Sequence, residues 1–415
     1  MSEKKIPEIR FHGFEGEWEE KTISDLAIII GGGTPSTSNP DYWNGGINWF
    51  VPTELGDDIY VSKSAKQISK RGIENSSAKL LPAYQTILFT SRASIGKMAI
   101  LKKPGATNQG FQSLVIKDGV DVYFVFSLGE KIKKKAEIIA SGSTFLEISG
   151  KSLGNVFIYV SEFEEEQKRI GSLFSALDRL IDRQRRKLEK LQTFKQAMLE
   201  KMFPKEGSLV PEIRFRGFTD PWEQRKLGDV VSLRGRIGFR GYKETDLVSK
   251  GQGAITFSPS DIDEMGNVSN DNNKYLSWEK YDESPEIQVQ VGDILFTKTA
   301  SIGKIGYVRE LKEKATINPQ FALLTPNENS NGYFTFLAVR SDDFMKQVRG
   351  ITGGSSVPTM SQEKLKELIF MSPSIKEQKC IGLFIENIDN LIILHLRKLE
   401  KLQAIKRSLL QKMFV

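Results

Sequence analysis

Residues 7–26 read PEIRFHGFEGEWEEKTISDL, and residues 211–230 read PEIRFRGFTDPWEQRKLGDV. The second stretch lies 204 positions after the first. Further along, TSRASIGKMAI (90–100) returns as TKTASIGKIGY (297–307), and KLEKLQ (187–192) returns unchanged at 398–403, 211 positions on. The slow drift of the offset marks small insertions inside a shared plan. Two copies are too few for a solenoid, which needs about three or more. The chain reads instead as one globular unit followed by one helix, made twice. Two related units with two long helices suit a bipartite reader of a roughly two-fold target, and duplex DNA is such a target.

The bulk composition excludes several classes. A chain of 415 residues has the length of two to four domains. It holds no apolar run near the ~18 residues of a membrane span, and MSEKKIPEIRF lacks the apolar segment of a signal peptide. The single cysteine, Cys380, rules out an internal disulfide and fits a reducing cytoplasm. With only His12 and His395 beside it, no Cys/His zinc site is expected. The net charge of +7 is compatible with a nucleic-acid partner without requiring one.

From Glu162 to Phe203 there is no proline and a single glycine, Gly171. Ser161 with Glu164 predicts a capping box, and Ser374 with Glu377 predicts its counterpart. Each segment would span about 60 Å as a helix. Apolar residues recur at heptad spacing: Phe174, Ile181, Leu188 and Met202 with Leu177, Leu191 and Met198. The second copy has Ile385, Ile392, Leu399 and Met413 with Ile388, Leu402 and Leu409. The seams are also polar at matching places, Lys195 with Lys406 and Gln184 with His395. Matching seams predict that the two helices pair with each other, antiparallel if a pseudo-dyad relates the copies, with Gln184 and His395 meeting near the middle. Leu180 with Leu391 and Phe194 with Ile405 widen the stripe, which implies partners beyond one helix. The run RQRRK (183–187) reads either as a solvated face or as a contact to phosphate or an acidic partner.

Both globular units read as mixed α and β with short strands. Strands are expected at 86–90, 97–100, 294–297 and 304–308, so each Ser-Ile-Gly-Lys (94–97 and 301–304) falls in a strand–strand loop. A hydroxyl, free N–H groups and a lysine make a phosphate contact, though a plain tight turn would look the same. It is not a Walker A loop, because the earlier glycine and the following Ser/Thr are missing. Asn108–Gln112 and Asn318–Phe321 follow; Asn and Gln can read adenine bidentately and also favour turns. A helix is expected over 123–140 and 333–349, each leading into a Gly/Ser/Thr loop.

The two copies diverge at their openings. The first has GGGTPSTSNPDYW (31–43); the second has RGRIGFRGYK (234–243), with four cations and no acid. That stretch sits in a unit, 207–371, of net charge −1 from 21 basic and 22 acidic residues, whose acids cluster at 261–286. Segregation of this kind points to a DNA face more strongly than net charge does, though a plain exposed Gly-rich loop would look the same. The candidate contacts in the first unit are therefore Thr34, Ser36, Tyr42, Trp43, Arg92, Ser94, Lys97 and Gln109. In the second they are Arg234, Arg236, Arg240, Lys243, Lys298, Ser301, Lys304 and Gln320. Asn39–Tyr42 and Asn318–Phe321 look like the Asn-Pro-Pro-Tyr/Phe box of adenine methyltransferases, but neither has the second proline and they fall at non-equivalent places. No catalytic residues and no metal site are expected.

The order unit, Glu-Gln-led helix, unit, Glu-Gln-led helix resembles the specificity subunit of type I restriction–modification systems. The carrying residues are GGTPS (32–36) with NPDYW (39–43), TSRASIGK (90–97), NQGF (108–111), RIGFRG (236–241), PSIKEQ (373–378) and the twice-used KLEKLQ with a closing Lys-Met-Phe. The resemblance covers essentially the whole chain. It implies an α+β protein with two target recognition domains, 1–160 and 207–371. Two long helices, 161–206 and 372–415, would pack as an antiparallel coiled coil with pseudo-two-fold symmetry. It implies that each domain reads half of a split site in double-stranded DNA, and that the helices dock two methyltransferase subunits, with restriction subunits joining them. S-adenosylmethionine, ATP and magnesium would belong to those partners, with no cofactor in this chain and a cytoplasmic location. A self-contained DNA adenine methyltransferase and a free-standing DNA-binding regulator are the competing readings.

Overall fold

Short β-branched and aromatic runs form the strands, and two long seams form the helices that tie them together. The computed structural model describes residues 5–92, 94–140, 146–237, 241–299, 302–352 and 359–415. The chain divides into two units, Met1–Arg186 with Leu396–Val415, and Lys187–His395. The division falls inside both long helices rather than at their ends, so each unit contains a piece of each helix.

In the first unit, strands Ala27–Gly31, Gln112–Ile116, Thr86–Phe89, Met98–Leu101 and Tyr60–Val61 form one sheet in that order. All neighbours are antiparallel except the last pair, which is parallel. Side chains alternate between faces, and both faces are covered. Ile87, Phe89, Leu114 and Ile116 pack towards Phe124 of the helix Val122–Ser127 and towards Ile170 and Phe174 of the first long helix. Leu88, Ala99 and Leu101 pack the other way, against Phe50, Leu55 and Phe111. Two-sided burial explains why these strands read as unbroken apolar runs. Lys66–Ile68, Trp43–Phe50 and Gly105–Thr107 make a second sheet, and Glu19–Thr22 pairs with Phe157–Val160 as a ribbon.

The second unit repeats this plan. Val231–Arg234, Phe321–Pro326, Ile294–Thr297 and Ile305–Tyr307 form an antiparallel sheet. Leu247–Val248, Lys274–Ser277, Gly253–Phe257 and Ala315–Ile317 form the other, and Glu223–Lys226 pairs with Ile369–Ser372. Ile255, Phe257, Leu295, Phe321 and Leu323 lie in its core.

The single helices expected at 123–140 and 333–349 are each broken in two, into Val122–Ser127 and Gly129–Ile139, and into Gly332–Val339 and Asp342–Thr352. The first break falls at Leu128; at the second, the Ser341 hydroxyl caps the new start by accepting from Phe344 N at 3.3 Å. Asp121 and Asn331 cap the first member of each pair.

The long helices run Glu164–Met202 and Ile375–Lys412. Just inside each helix start a buried carboxylate is met by an arginine. Glu377 is fully buried and takes two bonds from Arg214, Nε to Oε1 at 2.7 Å and Nη2 to Oε2 at 2.7 Å. Glu166 takes the same pair from Arg10 at 2.7 and 2.9 Å. The neighbouring amides complete each anchor: Gln167 accepts from Asp121 N at 3.2 Å, and Gln378 accepts from Asn331 N at 2.9 Å. The Arg of each PEIRF segment thus docks on the Glu-Gln that opens its own repeat's helix.

Within the first unit the two helices run antiparallel. Lys406 reaches Asp178 at 2.6 Å, while Phe414, two turns later, stacks on Phe174, one turn earlier, with ring centroids 5.6 Å apart. Phe414 also meets Trp18 edge-on at 5.9 Å, and Lys412 O accepts from Ile9 N at 3.0 Å. In the second unit Phe203, the repeat equivalent of Phe414, lies against Trp222 at 5.6 Å and stacks on Phe334 at 5.4 Å. Lys195 there pairs with Asp389 at 2.7 Å. Among the described residues no helix is long and apolar enough to cross a membrane.

Candidate nucleic-acid interface

Three loops meet at one end of the five-stranded sheet of the first unit: the segment after Ala27–Gly31, the hairpin 90–97, and the turn 108–111. Sheet geometry brings them there. Thr90 bridges Phe111, and Ser91 N donates to Gly110 O at 2.8 Å. Gly32 allows the closest approach, because a Cβ there would lie 1.8 Å from Asn108 O. As a result the exposed Thr34 hydroxyl donates to Gln109 Oε1 at 2.5 Å. The Ser36 hydroxyl bonds to Ser38 at 2.8 Å, and Ser36 O accepts from Trp43 Nε1 at 3.1 Å. Trp43 stands edge-on to the buried Trp49 at 5.2 Å, whose Nε1 donates to Gly33 O at 2.8 Å. Tyr42 ends a short helical turn capped by Asn39, and its carbonyl accepts from Ser69 N at 2.9 Å.

The hairpin 90–97 is a tight turn built on Thr90. Its hydroxyl donates to Ser94 O at 2.5 Å and accepts from Lys97 N at 2.9 Å, and Gly96 sits at φ +84°. Ser94 and Lys97 are exposed; the Lys97 ammonium donates to Leu55 O at 3.3 Å. Arg92 is half-buried and its backbone bridges to Glu147. The first-unit candidates therefore fall on neighbouring loops, with Thr34 touching Gln109 and Ser36 touching Trp43.

The second unit places its candidates on the matching loops but less evenly. Lys298 N donates to Gln320 O at 2.8 Å, and Lys298 O accepts from Met360 N at 2.9 Å. Lys298 is half-buried, and burial pulls its ammonium below the usual lysine range, with Glu363 opposing the shift. Gln320 bonds with Asn318 at 3.0 Å, and the half-buried Lys304 accepts from Thr297 N at 3.0 Å through its carbonyl. Lys243 is exposed. Arg240 and Ser301 lie outside the described residues.

Two of the arginines turn inward. Arg234 donates to the Thr325 hydroxyl at 2.5 Å, and Thr325 donates in turn to Asp293 at 2.6 Å. Arg236 is only 8 % exposed, stacks on Tyr242 at 4.9 Å, and donates to Ile317 O at 3.3 Å and to the Ser284 and Thr316 hydroxyls at 3.4 Å. Burial lowers its affinity for its proton. Arg236, counted among the four cations and named as a candidate contact, holds the loop from inside rather than presenting its charge. Charge segregation along the sequence does not report which way a side chain points.

The sequence also left some functional groups unread. Arg10 and Arg214 sat inside the quoted PEIRF segments without a role, Glu377 was read only as half of a capping box, and Glu166 was not singled out. Tyr123 donates to Asp178 at 2.8 Å, and Tyr333 donates to Asp389; each Asp is then met by a lysine. The signal that would have found them is duplication itself: polar residues repeated at constant offset inside otherwise apolar stripes. Among the described residues no group of acidic, His or Cys side chains could hold a metal.

Three comparisons bear on this arrangement. The sequence profile of the type I restriction modification DNA specificity domain matches residues 15–193 and again 219–404. The chain is 36% identical to a Methanocaldococcus jannaschii protein, the type I restriction enzyme MjaIX specificity subunit, over 228 residues, or 52% of each chain. It therefore spans about half the length of that relative. It is 23% identical to the MjaVIII specificity subunit of the same organism, over 95% of this chain and 91% of the relative. The fold is that of the crystal structure of a type I restriction–modification S subunit from M. genitalium, with a TM-score of 0.67, 17% identity and 99% of both chains covered.

Proposed function

The chain belongs to the type I restriction–modification DNA specificity family, and we propose that it is the sequence-reading subunit of such a complex. On this reading 1–160 and 207–371 act as target recognition domains, and 161–206 with 372–415 as the helical connection. Each domain reads one half of a split site in duplex DNA. The observation that carries the reading is the loop cluster at the sheet end, built twice on one plan but filled with different residues. A shared scaffold with divergent loops is what two readers of unlike half-sites require.

The exposed or half-exposed groups suit the contacts they would make. Thr34, Ser36, Ser94 and Lys97 offer hydroxyls and a cation for phosphate oxygens, while Gln109 and Gln320 offer amides for base edges. Tyr42 and Trp43 offer flat faces beside them. In the second domain Lys243, Lys298 and Lys304 supply the cations, with Arg240 and Ser301 on the same loops in sequence. Arg234 and Arg236 act as supports. The exposed apolar residues Leu383, Leu391 and Leu394 on the second long helix support a docking role for methyltransferase subunits, two in number. Those subunits would carry S-adenosylmethionine and the methylation chemistry, and restriction subunits ATP and magnesium. This chain would be non-catalytic and act in the cytoplasm.

The test is genome-wide adenine methylation, mapped by single-molecule sequencing, in a host expressing this chain with and without a cognate methyltransferase subunit. A split motif that appears only with both supports the reading. Methylation from this chain alone, or a motif unchanged when this chain is omitted, refutes it.

A further inference from the structure

One contact of a helix on a turn is built twice, with different chemistry at a single place. Gly96 and Gly303 hold the two Ser-Ile-Gly-Lys turns at φ +84° and +86°. A helix of the same unit packs over each. A Cβ on Gly96 would lie 2.4 Å from Lys133 Cγ and 3.0 Å from its Cδ, and a Cβ on Gly303 would lie 2.2 Å from Met345 Cε. Lys133 belongs to the helix Gly129–Ile139 and Met345 to Asp342–Thr352. Both side chains are unbranched stems laid along a glycine, so one frame accepts either. Their ends differ, one a cation and the other a thioether.

The charges around each place follow the same division. Gly129–Ile139 carries four lysines against two glutamates, whereas Asp342–Thr352 sets Lys346 and Arg349 against Asp342 and Asp343. Two of the four lysines are occupied. Lys131 donates to Val415 O at 2.6 Å, and Lys135 donates to Phe157 O at 3.0 Å and lies over its ring at 4.5 Å. Lys97, on the turn itself, donates to Leu55 O at 3.3 Å. Among the described residues no carboxylate or carbonyl pairs with the Lys133 ammonium. Its half-buried stem covers the turn, and the charge is carried out to the rim, beside the turn that exposes Ser94. A stem already held by packing loses less rotamer freedom on meeting an anion than one free in solvent.

We infer that Lys133 is a DNA phosphate contact of the first recognition domain, and that the second domain has exchanged it for an apolar contact at Met345. At this place the first domain holds the duplex by a bond that salt weakens, and the second does not. The inference rests on the bipartite reading above.

The experiment uses the full-length chain in complex with its methyltransferase subunits. Its affinity for a fluorescein-labelled duplex carrying the mapped split site is read by anisotropy across salt. One phosphate contact contributes a slope of about −0.9 in log K against log salt. Lys133→Met keeps an unbranched stem over Gly96 and should remove one such contact. Raising salt from about 50 to about 200 mM should then weaken the unsubstituted complex ~3.5-fold more than the variant. Lys133→Arg, which retains the cation, should keep the original slope. Met345→Lys should steepen it by a similar amount, since Asp342, exposed and one turn earlier, offers a surface pair worth too little to hold the new cation back. Lys134→Met removes the same charge about 100° further round the helix and should change the slope by less than half as much. The methylated motif should be the same in every variant. An unchanged slope for Lys133→Met or for Met345→Lys, or an equal fall for Lys134→Met, would overturn the inference and leave the bipartite reading standing. An unsubstituted complex that has no split site, or whose binding salt does not weaken, would overturn both.

Discussion

Replacing Arg214 with alanine should be among the most damaging single changes outside the apolar core. Glu377 has a side chain 1% exposed and Arg214 one 12% exposed, and two bonds of 2.7 Å join them. Arg214 also donates to Asp220 O at 2.6 Å, so the guanidinium holds the PEIRF segment and the helix start together. Without it the carboxylate stays in place with no counter-charge. Breaking a buried pair from one side costs about 3–5 kcal/mol. For a unit of this size that lowers the melting temperature by roughly 6 to 20 °C. Differential scanning calorimetry on the full chain measures it. The damage comes from the stranded charge. Glu377→Leu added to Arg214→Ala should recover part of the loss. A fall of under ~1 kcal/mol for Arg214→Ala, or no recovery in the double variant, would show that the pair is not the anchor described.

Other expectations follow from the same geometry. Gly32→Ala forces a Cβ to 1.8 Å from the Asn108 carbonyl, so the loops must part; methylation at the first half-site should fall while the second domain stays folded by limited proteolysis. Lys243→Ala should weaken DNA binding across sequences and reduce the salt slope by about 1, measured by fluorescence anisotropy against salt. Arg236→Ala, by contrast, removes interior bonds and should lower stability by about 1–3 kcal/mol in urea titration; full stability with altered binding alone would contradict its inward placement. Burial holds the Asp293 carboxyl above the ordinary range, against the bonds from Thr325 and Gln290 N that favour its charged form. A folded state that keeps a proton the unfolded chain has lost becomes less stable as pH rises from the ordinary carboxylate range through the raised value. Asp293→Asn should flatten the stability–pH curve in that window, and an unchanged slope would refute the assignment.

Much of the architecture was legible because duplication filters noise. A single short strand such as Ile294–Thr297 is ambiguous, but the same pattern at Thr86–Phe89 gives it a second witness. The long helices were legible from their heptads: against expected segments of 161–206 and 372–415, they run Glu164–Met202 and Ile375–Lys412. The break at Arg340–Ser341 was not, since no proline or glycine announces it; at Leu128 the adjacent Gly129 is a signal, but a lone glycine inside a helical pattern is tolerated and does not by itself read as a break. The loop clusters were placed correctly in sequence, yet the inward turn of Arg236 depends on Tyr242, Ser284 and Thr316, up to 80 residues away. Charge patterns record composition, and only tertiary packing decides whether a cation meets solvent. The Glu-Gln openings were noticed as a signature, but the arginines that meet their glutamates lie more than 150 residues distant in sequence.

The sharing of helix ends also has a consequence for synthesis. Trp18, Phe124 and Phe174 need Phe414 to close over them, so the domain made first on the ribosome is the one finished last. At about 5–20 residues per second, roughly 10–45 s separate the emergence of Arg186 from that of the closing phenylalanine. The second unit, Lys187–His395, is contiguous and needs no such wait. During that interval Trp18, Phe124 and Phe174 lack the ring that meets all three in the finished chain.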